Sequence, residues 1–464
     1  MSDKTDQVVE TPAGTAYYPQ DASIDKLNIL TSSGQTVDVK KLLVEMSYYE
    51  DIYSFVVSGY VMLRDAVGLI EKLQLTGKEF IEINFGKVSN SSSDDDKTFR
   101  LYGVPKRTPE GNLNSEVIKL YFCSEELLLS QQVKITKSYN GVEVYNIIND
   151  ILLNQLKVPA SRVRNIDPTV GKYDFNIPAN IKPLEAISWL STYARPTTNS
   201  LVGADMLFYE TVDGFNFKSL STLYQQTPYQ TYSYQQKNLN TATFQQDVTT
   251  VLDYEFVKSY NSLQEASSGA FASKLISLDP MNRTKKTTYF DYSSYHQKNS
   301  TTINGTSALS SAPNRLNLTQ NQAYDGVTKM AIGNSGQKLK PYYQQGINSV
   351  AEDIYLENSI PTRTAQLALL SQTVLKIRIP GDPDIRVGYT INFNFGTLMD
   401  STGQKSLDKY YSGKYVVTAA RHILQSSGIY QTILEISKDS PATGYASITS
   451  SSPAATSFAQ AYAD

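Results

Sequence analysis

The strongest pattern along the chain is a period-two alternation of apolar and polar residues, which predicts strands. Leu27 and Ile29 alternate with polar neighbours from Ile24 onward, and Ser32-Ser33-Gly34 supplies a turn. Phe55 to Leu63 predicts a strand with Val57, Val61 and Leu63 on one face and Val56, Tyr60 and Met62 on the other. Gly59 within it points to a bulge or a close backbone approach. Asp65 is placed to cap a short helix from Ala66 to Leu73. Alternation returns over Phe80 to Phe85, Phe99 to Val104 and Glu116 to Cys123, completing a small antiparallel barrel or sandwich. Lys106 to Asn114 joins its last two strands, and the polar run from Val88 to Lys97 reads as a solvated loop.

The period then changes. Asn140-Gly141-Val142-Glu143 reads as a capping box with Asn140 as cap, and Val142, Tyr145, Ile148, Leu152 and Leu156 share a helical face. A second helix starts at Pro183, a favoured first-turn position, and runs to about Ala194. Met206 to Thr211 and Phe215 to Leu220 flank Asp213-Gly214, a tight-hairpin signal. After a Gln/Tyr/Thr-rich link, Leu252 to Val257 predicts a strand. Residues 260–373 are polar and weakly periodic, with a turn at Asn304-Gly305. They are expected to form an inserted subdomain or assembly loops closing with a helix near Thr364 to Gln372. Leu375 to Ile379 alternates next, and Ile385 to Phe395 holds period two throughout. Tyr415 to Ile423 and Ile429 to Ser437 form a hairpin across Ser426-Ser427-Gly428.

Composition narrows the function classes. Of 464 residues, 40% are hydrophobic and 19% charged, which supports folded cores over disorder. The net charge of −3 gives no global attraction to nucleic acid or an anionic membrane. The 33 tyrosines against one tryptophan suit half-buried strands and subunit interfaces. One cysteine, Cys123, excludes an intramolecular disulfide and a cysteine zinc site. The polar start, Met1 to Glu10, carries no apolar signal segment, and no run approaches a membrane span.

Gly77-Lys78-Glu79-Phe80-Ile81-Glu82-Ile83-Asn84-Phe85-Gly86 aligns, with one gap, to Gly388-Tyr389-Thr390-Ile391-Asn392-Phe393-Asn394-Phe395-Gly396. Each is an alternating strand bracketed by glycines. Such strands also recur by chance; a true duplication would give each subunit two similar barrels, and three subunits six.

Asp51-Ile52-Tyr53-Ser54-Phe55-Val56-Val57-Ser58-Gly59-Tyr60-Val61-Met62-Leu63-Arg64-Asp65-Ala66-Val67-Gly68-Leu69-Ile70 resembles the opening barrel of baseplate hub proteins of contractile-tailed phages. Leu73-Gln74-Leu75-Thr76-Gly77-Lys78-Glu79-Phe80 stands where that family carries a proline- and glycine-containing run. Phe55 and Gln74 replace family prolines. Ile187-Ser188-Trp189-Leu190 and Phe208 to Leu220 resemble the middle domain of those hubs and of the N-terminal part of type VI secretion spikes.

The resemblance implies a mainly β fold with α+β parts: two tube-like antiparallel β-barrel domains flanking a smaller α+β domain, with an inserted subdomain in the second barrel. The expected boundaries are a flexible arm (1–23), a first barrel (24–124), the α+β middle (125–235), the start of a second barrel (236–259), the insertion (260–373), the rest of the second barrel (374–439) and a flexible tail (440–464). It also implies a structural virion protein and not an enzyme. As a homotrimer in the tail baseplate, assembled in the host cytoplasm, it would adapt the sixfold tail tube to the threefold central spike. Its partners would be the tail tube protein, the central spike protein, baseplate wedge proteins and the tape measure protein. DNA would pass through its channel without specific binding. A tail-associated glycan hydrolase and a tail adaptor of a non-contractile phage are the alternatives.

The residues themselves nominate no catalytic, cofactor-binding or metal site. His296 and His422 lie far apart in sequence. Cys123 on an alternating strand reads as a small packed side chain. Glu125-Glu126 reads as a helix start, favoured by the dipole. Asp94-Asp95-Asp96 reads as a loop without calcium-ligand spacing. Lys134, Lys137, Arg162 and Arg164 are scattered basic pairs and not a stripe. A hydrolase would need two facing carboxylates.

Overall fold

The computed structural model describes residues 21–73, 75–87, 96–109, 115–197, 204–234, 248–259, 263, 267–269, 272–279, 283–291, 302–305, 328–332, 356–396 and 407–442. The predicted arm and tail fall mostly outside these residues, although residues 22 and 23 already belong to the first strand.

The N-terminal part contributes β1 (Ala22–Leu30), β2 (Thr36–Asp38), β3 (Leu43–Asp51), β4 (Ser58–Asp65), the short helix α1 (Leu69–Leu73), β5 (Phe80–Lys87), β6 (Lys97–Pro109) and β7 (Glu116–Cys123). Its core gathers Leu27, Met46, Tyr48, Val61, Ile81, Phe85, Leu101, Leu120 and Phe122. Asp65 does serve α1, accepting hydrogen bonds from the Val67 and Leu69 N–H groups. The expected connection from Lys106 is in part strand, because β6 continues to Pro109 along β7 through two register shifts. The polar side chains there hid the strand: its backbone is held by β7, and Lys106 to Pro109 are all exposed.

The middle part runs α2 (Glu125–Gln132), β8 (Ser138–Val142), α3 (Val144–Asp150), β9 (Val163–Ile166), β10 (Thr169–Val170), β11 (Tyr173–Asn176), α4 (Pro183–Ser191), β12 (Arg195–Pro196), β13 (Met206–Thr211), β14 (Gly214–Ser219) and α5 (Leu220–Gln225). The expected capping box is absent: Asn140 to Val142 lie in β8, and α3 starts after Glu143 with no side-chain cap. A π-helical turn, Ile151–Gln155, follows α3 and moves the buried face to Val144, Ile147, Ile148, Ile151 and Leu152. α4 keeps its proline start but stops at Ser191.

The C-terminal part comprises β15 (Thr231–Tyr234), β16 (Asp253–Lys258), β17 (Ala272–Asp279), β18 (Thr284–Asp291), β19 (Thr328–Ile332), α6 (Leu356–Leu370), β20 (Thr373–Pro380), β21 (Thr390–Phe395), β22 (Gly413–Gln425) and β23 (Tyr430–Lys438). α6 begins well before the predicted Thr364 and contains Pro361. β17, β18 and β19 form a separate three-stranded sheet. The long alternation from Ile385 is strand only from Thr390; before it the chain turns through Gly388 at φ +80°.

The whole is mainly β. A thirteen-stranded, predominantly antiparallel sheet contains strands from both ends of the chain, in the order β16-β20-β23-β22-β3-β4-β7-β6-β5-β1-β2, with β15-β21 branching from β22. Gly59 on β4 explains itself here: an added β-carbon would run into the Phe122 ring and the Ser47 carbonyl. Gly59→Ala is therefore expected to lower stability by about 2 kcal/mol in urea denaturation. Gly103→Ala, whose methyl meets open space, should stay within about 0.5 kcal/mol of the native chain.

Candidate assembly surface

The strand order repeats. In the N-terminal part it is β3-β4-β7-β6-β5-β1; in the C-terminal part it is β16-β20-β23-β22-β21-β15. The correspondence extends to single residues. Leu101 donates its N–H to the Glu79 carbonyl at 2.9 Å, and Val417 donates to the Tyr389 carbonyl at 2.8 Å. Leu101 lies opposite Phe122 and Val417 opposite Ile436, and a register shift follows immediately in both, at Leu101/Gly103 and Val417/Ala419. β6 and β22 are each 13 residues long. Phe85 and Phe395, ends of the two glycine-bracketed segments, fall in the same place. Tyr48 meets Phe85 at 5.9 Å between ring centroids, and Phe256 meets Phe395 at 6.0 Å. One difference is polarity: β1 runs antiparallel to β5, whereas β15 runs parallel to β21.

The halves join at β3 and β22, whose antiparallel register runs from Ala419 opposite Asp51 to Gln425 opposite Glu45. Because β22 is long, its first residues pair with β21 and its last with β3. His422 lies opposite Tyr48 and stacks on it with centroids 4.3 Å apart. His422 Nδ1 is 2.7 Å from the Tyr430 hydroxyl, and Tyr430 meets Phe85 edge-on at 5.3 Å. The C-terminal half thus caps the aromatic core of the N-terminal half. Arg421 lies 3.7 Å from Glu45 and 3.3 Å from the Ser47 hydroxyl. Burial holds the His422 ring well below its ordinary pKa, and Nε2 lacks a hydrogen-bond partner. This is a packed neutral ring. His296, Asp94 and Asp95 lie outside the described residues.

The middle part is held at this junction by buried charge. Glu50, at the end of β3, accepts from the Val212 N–H (2.8 Å) and the Val387 N–H (3.2 Å), one from the β13–β14 turn and one from the C-terminal half. Burial raises its pKa, opposed by Arg386 and those two bonds. Arg386 donates to both carboxylate oxygens of Asp213 in the same turn, at 2.9 and 3.2 Å. Glu210 on β13 accepts from the Val57 N–H (2.9 Å) and the Ser124 hydroxyl (2.6 Å), and pairs with Arg162, which also holds Glu126 at 2.6 Å. Arg363 on α6 donates to the Ala204 and Met206 carbonyls, both at 2.8 Å.

In the sequence Arg162 and Arg164 look like scattered basic pairs, and Glu50, Glu210 and Arg386 do not stand out. Nothing local marks them, since the groups they join across the junction are distant in sequence. Cys123 is buried at the end of β7, Glu125 opens α2, Lys137 pairs with Asp150, and Asp96 accepts from Lys26 and Asn84. A cleft of about 310 Å³ beside the Arg386–Asp213 pair is lined by Arg164, Tyr209, Asp213, Lys218, Arg386 and Tyr389, among others. Its one lining carboxylate, Asp213, is already engaged by Arg386. Among the described residues there is no cluster of side chains suited to a metal ion, and no helix is long and apolar enough to cross a membrane.

Glu50→Ala leaves the buried Val387 N–H and the partly buried Val212 N–H unpaired and is expected to cost about 3 kcal/mol, read by urea denaturation. Burial pushes Glu210 up, to about 8, against Arg162, Ser124 and the Val57 N–H. The folded state then holds that proton more tightly than the unfolded chain. The associated stability is full below the ordinary 4.5 and is lost as pH rises through about 8. Melting temperatures of the native chain and Glu210→Gln, followed from pH 5 to 8, should show the native chain losing ground steadily; a constant offset would contradict this.

No protein-family model matches the chain. It is 23% identical over 431 residues to the "Probable baseplate hub protein" of Vibrio phage KVP40, covering 87% of this chain and 91% of that one. Its structure is similar to that of a tail protein from Neisseria meningitidis MC58, with a TM-score of 0.51 and 10% identity, covering 89% of this chain and 96% of that one. A 43 kDa tail protein of prophage MuSo2 from Shewanella oneidensis gives a TM-score of 0.49 at 7% identity, covering 89% and 97%. The chain therefore shares the fold of a solved tail protein and is similar, along most of its length, to a probable baseplate hub protein of a phage.

Proposed function

We propose that this chain is the structural subunit of a baseplate hub, three copies of which close into a ring around the tail channel. The carrying observation is the repeated strand order. Two equivalent units in one polypeptide let three chains present six similar lobes. Such a ring matches a sixfold tail tube on one face and a threefold central spike on the other. In this reading the units are tube-like barrels at 24–124 and at 231–259 with 374–439, the second beginning with β15 and so a few residues before the expected 236. The middle domain, from 125 to the residues before β15, is clamped between them, and residues 260–373 are inserted in the second. The arm and tail (1–23 and 440–464) flank them.

The tail tube, spike, wedge and tape measure proteins are its neighbours, and its work is mechanical. The buried charges at the junction act as a lock. They hold the middle part at a fixed attitude to both units, as a ring transmitting force requires. DNA traverses the channel without being gripped, consistent with the net charge of −3.

Native mass measurement of the purified full chain, alone and with its spike, tests the proposal. A trimer is expected in at least one setting, and a strict monomer in both would overturn it.

A further inference from the structure

The repeat makes a specific demand on the outer edges of the sheet. The junction of β3 with β22 occurs once within the chain, yet each half carries a copy of both strands. The copy of β3 is β16, and the copy of the distal part of β22 is the distal part of β6. Among the described residues, β16 pairs only with β20, and β6 beyond Leu101 pairs only with β7. Burial follows this difference. Tyr48 on β3 is 2% exposed, while Phe256, its counterpart on β16, is 38% exposed and followed by Val257 at 47%. His422 is buried on β22, while Arg107, its counterpart on β6, is exposed.

Resting on the ring reading, we infer that the distal part of β6, Lys106–Pro109, pairs antiparallel with β16 of a second copy of this chain, repeating between subunits the junction that β22 makes with β3 within one. The register follows by equivalence. Ile423 opposite Ser47 becomes Thr108 opposite Glu255 of the second copy, and His422 opposite Tyr48 becomes Arg107 opposite Phe256.

The chemistry carries over with the register. Inside the chain the hydrogen-bonded pair His422–Tyr430 covers the Tyr48–Phe85 aromatics. On the open edge the corresponding pair is Arg107–Glu116, joined at 2.6 Å, and the corresponding aromatics are Phe256 and Phe395. A guanidinium already neutralised by its own glutamate can lie on the face of Phe256 as the imidazole lies on Tyr48. Lys106 takes the place of Arg421, and so comes beside Asp253 and Glu255 as Arg421 lies beside Glu45 and Ser47. Each copy offers a basic β6 edge and an acidic, aromatic β16 edge. Such a head-to-tail contact generates a ring when its rotation closes. The pairing also covers two edges that would otherwise be templates for uncontrolled association.

The test is a cysteine pair in the full chain. Thr108→Cys with Glu255→Cys, oxidised, is expected to give a covalent ladder ending at the closed ring on a non-reducing gel. An equal mixture of the two single variants should stop at dimers. Lys106→Glu should weaken association at least tenfold in sedimentation, with the circular dichroism spectrum unchanged, and adding Asp253→Lys and Glu255→Lys should restore it. A trimer by native mass that neither cross-links nor responds to charge reversal overturns this seam and leaves the ring intact. A chain that is monomeric throughout overturns both.

Discussion

The rest of the molecule depends on one ladder, that between β3 and β22. It brings together segments from opposite ends of the chain, Glu45 to Asp51 and Ala419 to Gln425, and makes one sheet of what would otherwise be two. Its hydrogen bonds supply the geometry and its side chains the cohesion. Leu424 and Tyr430 from the C-terminal half complete the N-terminal core. The same ladder delivers Glu50 to the point where the β13–β14 turn and the loop before β21 converge. A buried carboxylate that satisfies two backbone donors cannot be removed from one partner without stranding the other. The attitude of the middle part is therefore fixed by the register of the sheet.

The repeat has been modified where the two halves have different neighbours. Between β16 and β20 the second unit carries β17 to β19 and α6, while the first unit has only a short turn between β3 and β4. α6 uses Arg363 to bind the middle part through backbone carbonyls, a sequence-tolerant contact that needs only the right carbonyl positions. At the matching positions β6 and β16 carry exposed charged residues, Lys106, Arg107, Asp253 and Glu255, where β22 and β3 bury His422, Tyr48, Leu424 and Met46. That substitution suits surfaces that remain soluble before they meet a partner.

The fold was legible where local pattern and tertiary environment agree. Alternation located the strands around Leu27, Val61, Ile83, Leu120, Ile377, Val417 and Leu434, because each has one face on a core. The glycine-bracketed segments ending at Phe85 and Phe395 point to the repeated strand order, although by themselves they do not separate a repeat from chance recurrence. Lys106 to Pro109 looks like a connection in the sequence because an edge half-strand needs no apolar face. Pro361 displaced the expected start of α6, since proline is normally a boundary and here lies within the helix. The alternation from Ile385 to Val387 belongs to a turn whose side chains are buried by the junction and not by a sheet. The lock itself, Glu50 with Val212 and Val387 and Arg386 with Asp213, was invisible: its partners are separated by 162, 337 and 173 residues.

A reconstruction of the intact tail at side-chain detail, computed without imposed symmetry, addresses the central claim most directly. The account requires three chains around the channel, with the β1–β7 unit and the β15/β16, β20–β23 unit alternating so that six similar lobes face the tube. A ring in which these two units occupy unlike positions, or one built from any other number of chains, would contradict it.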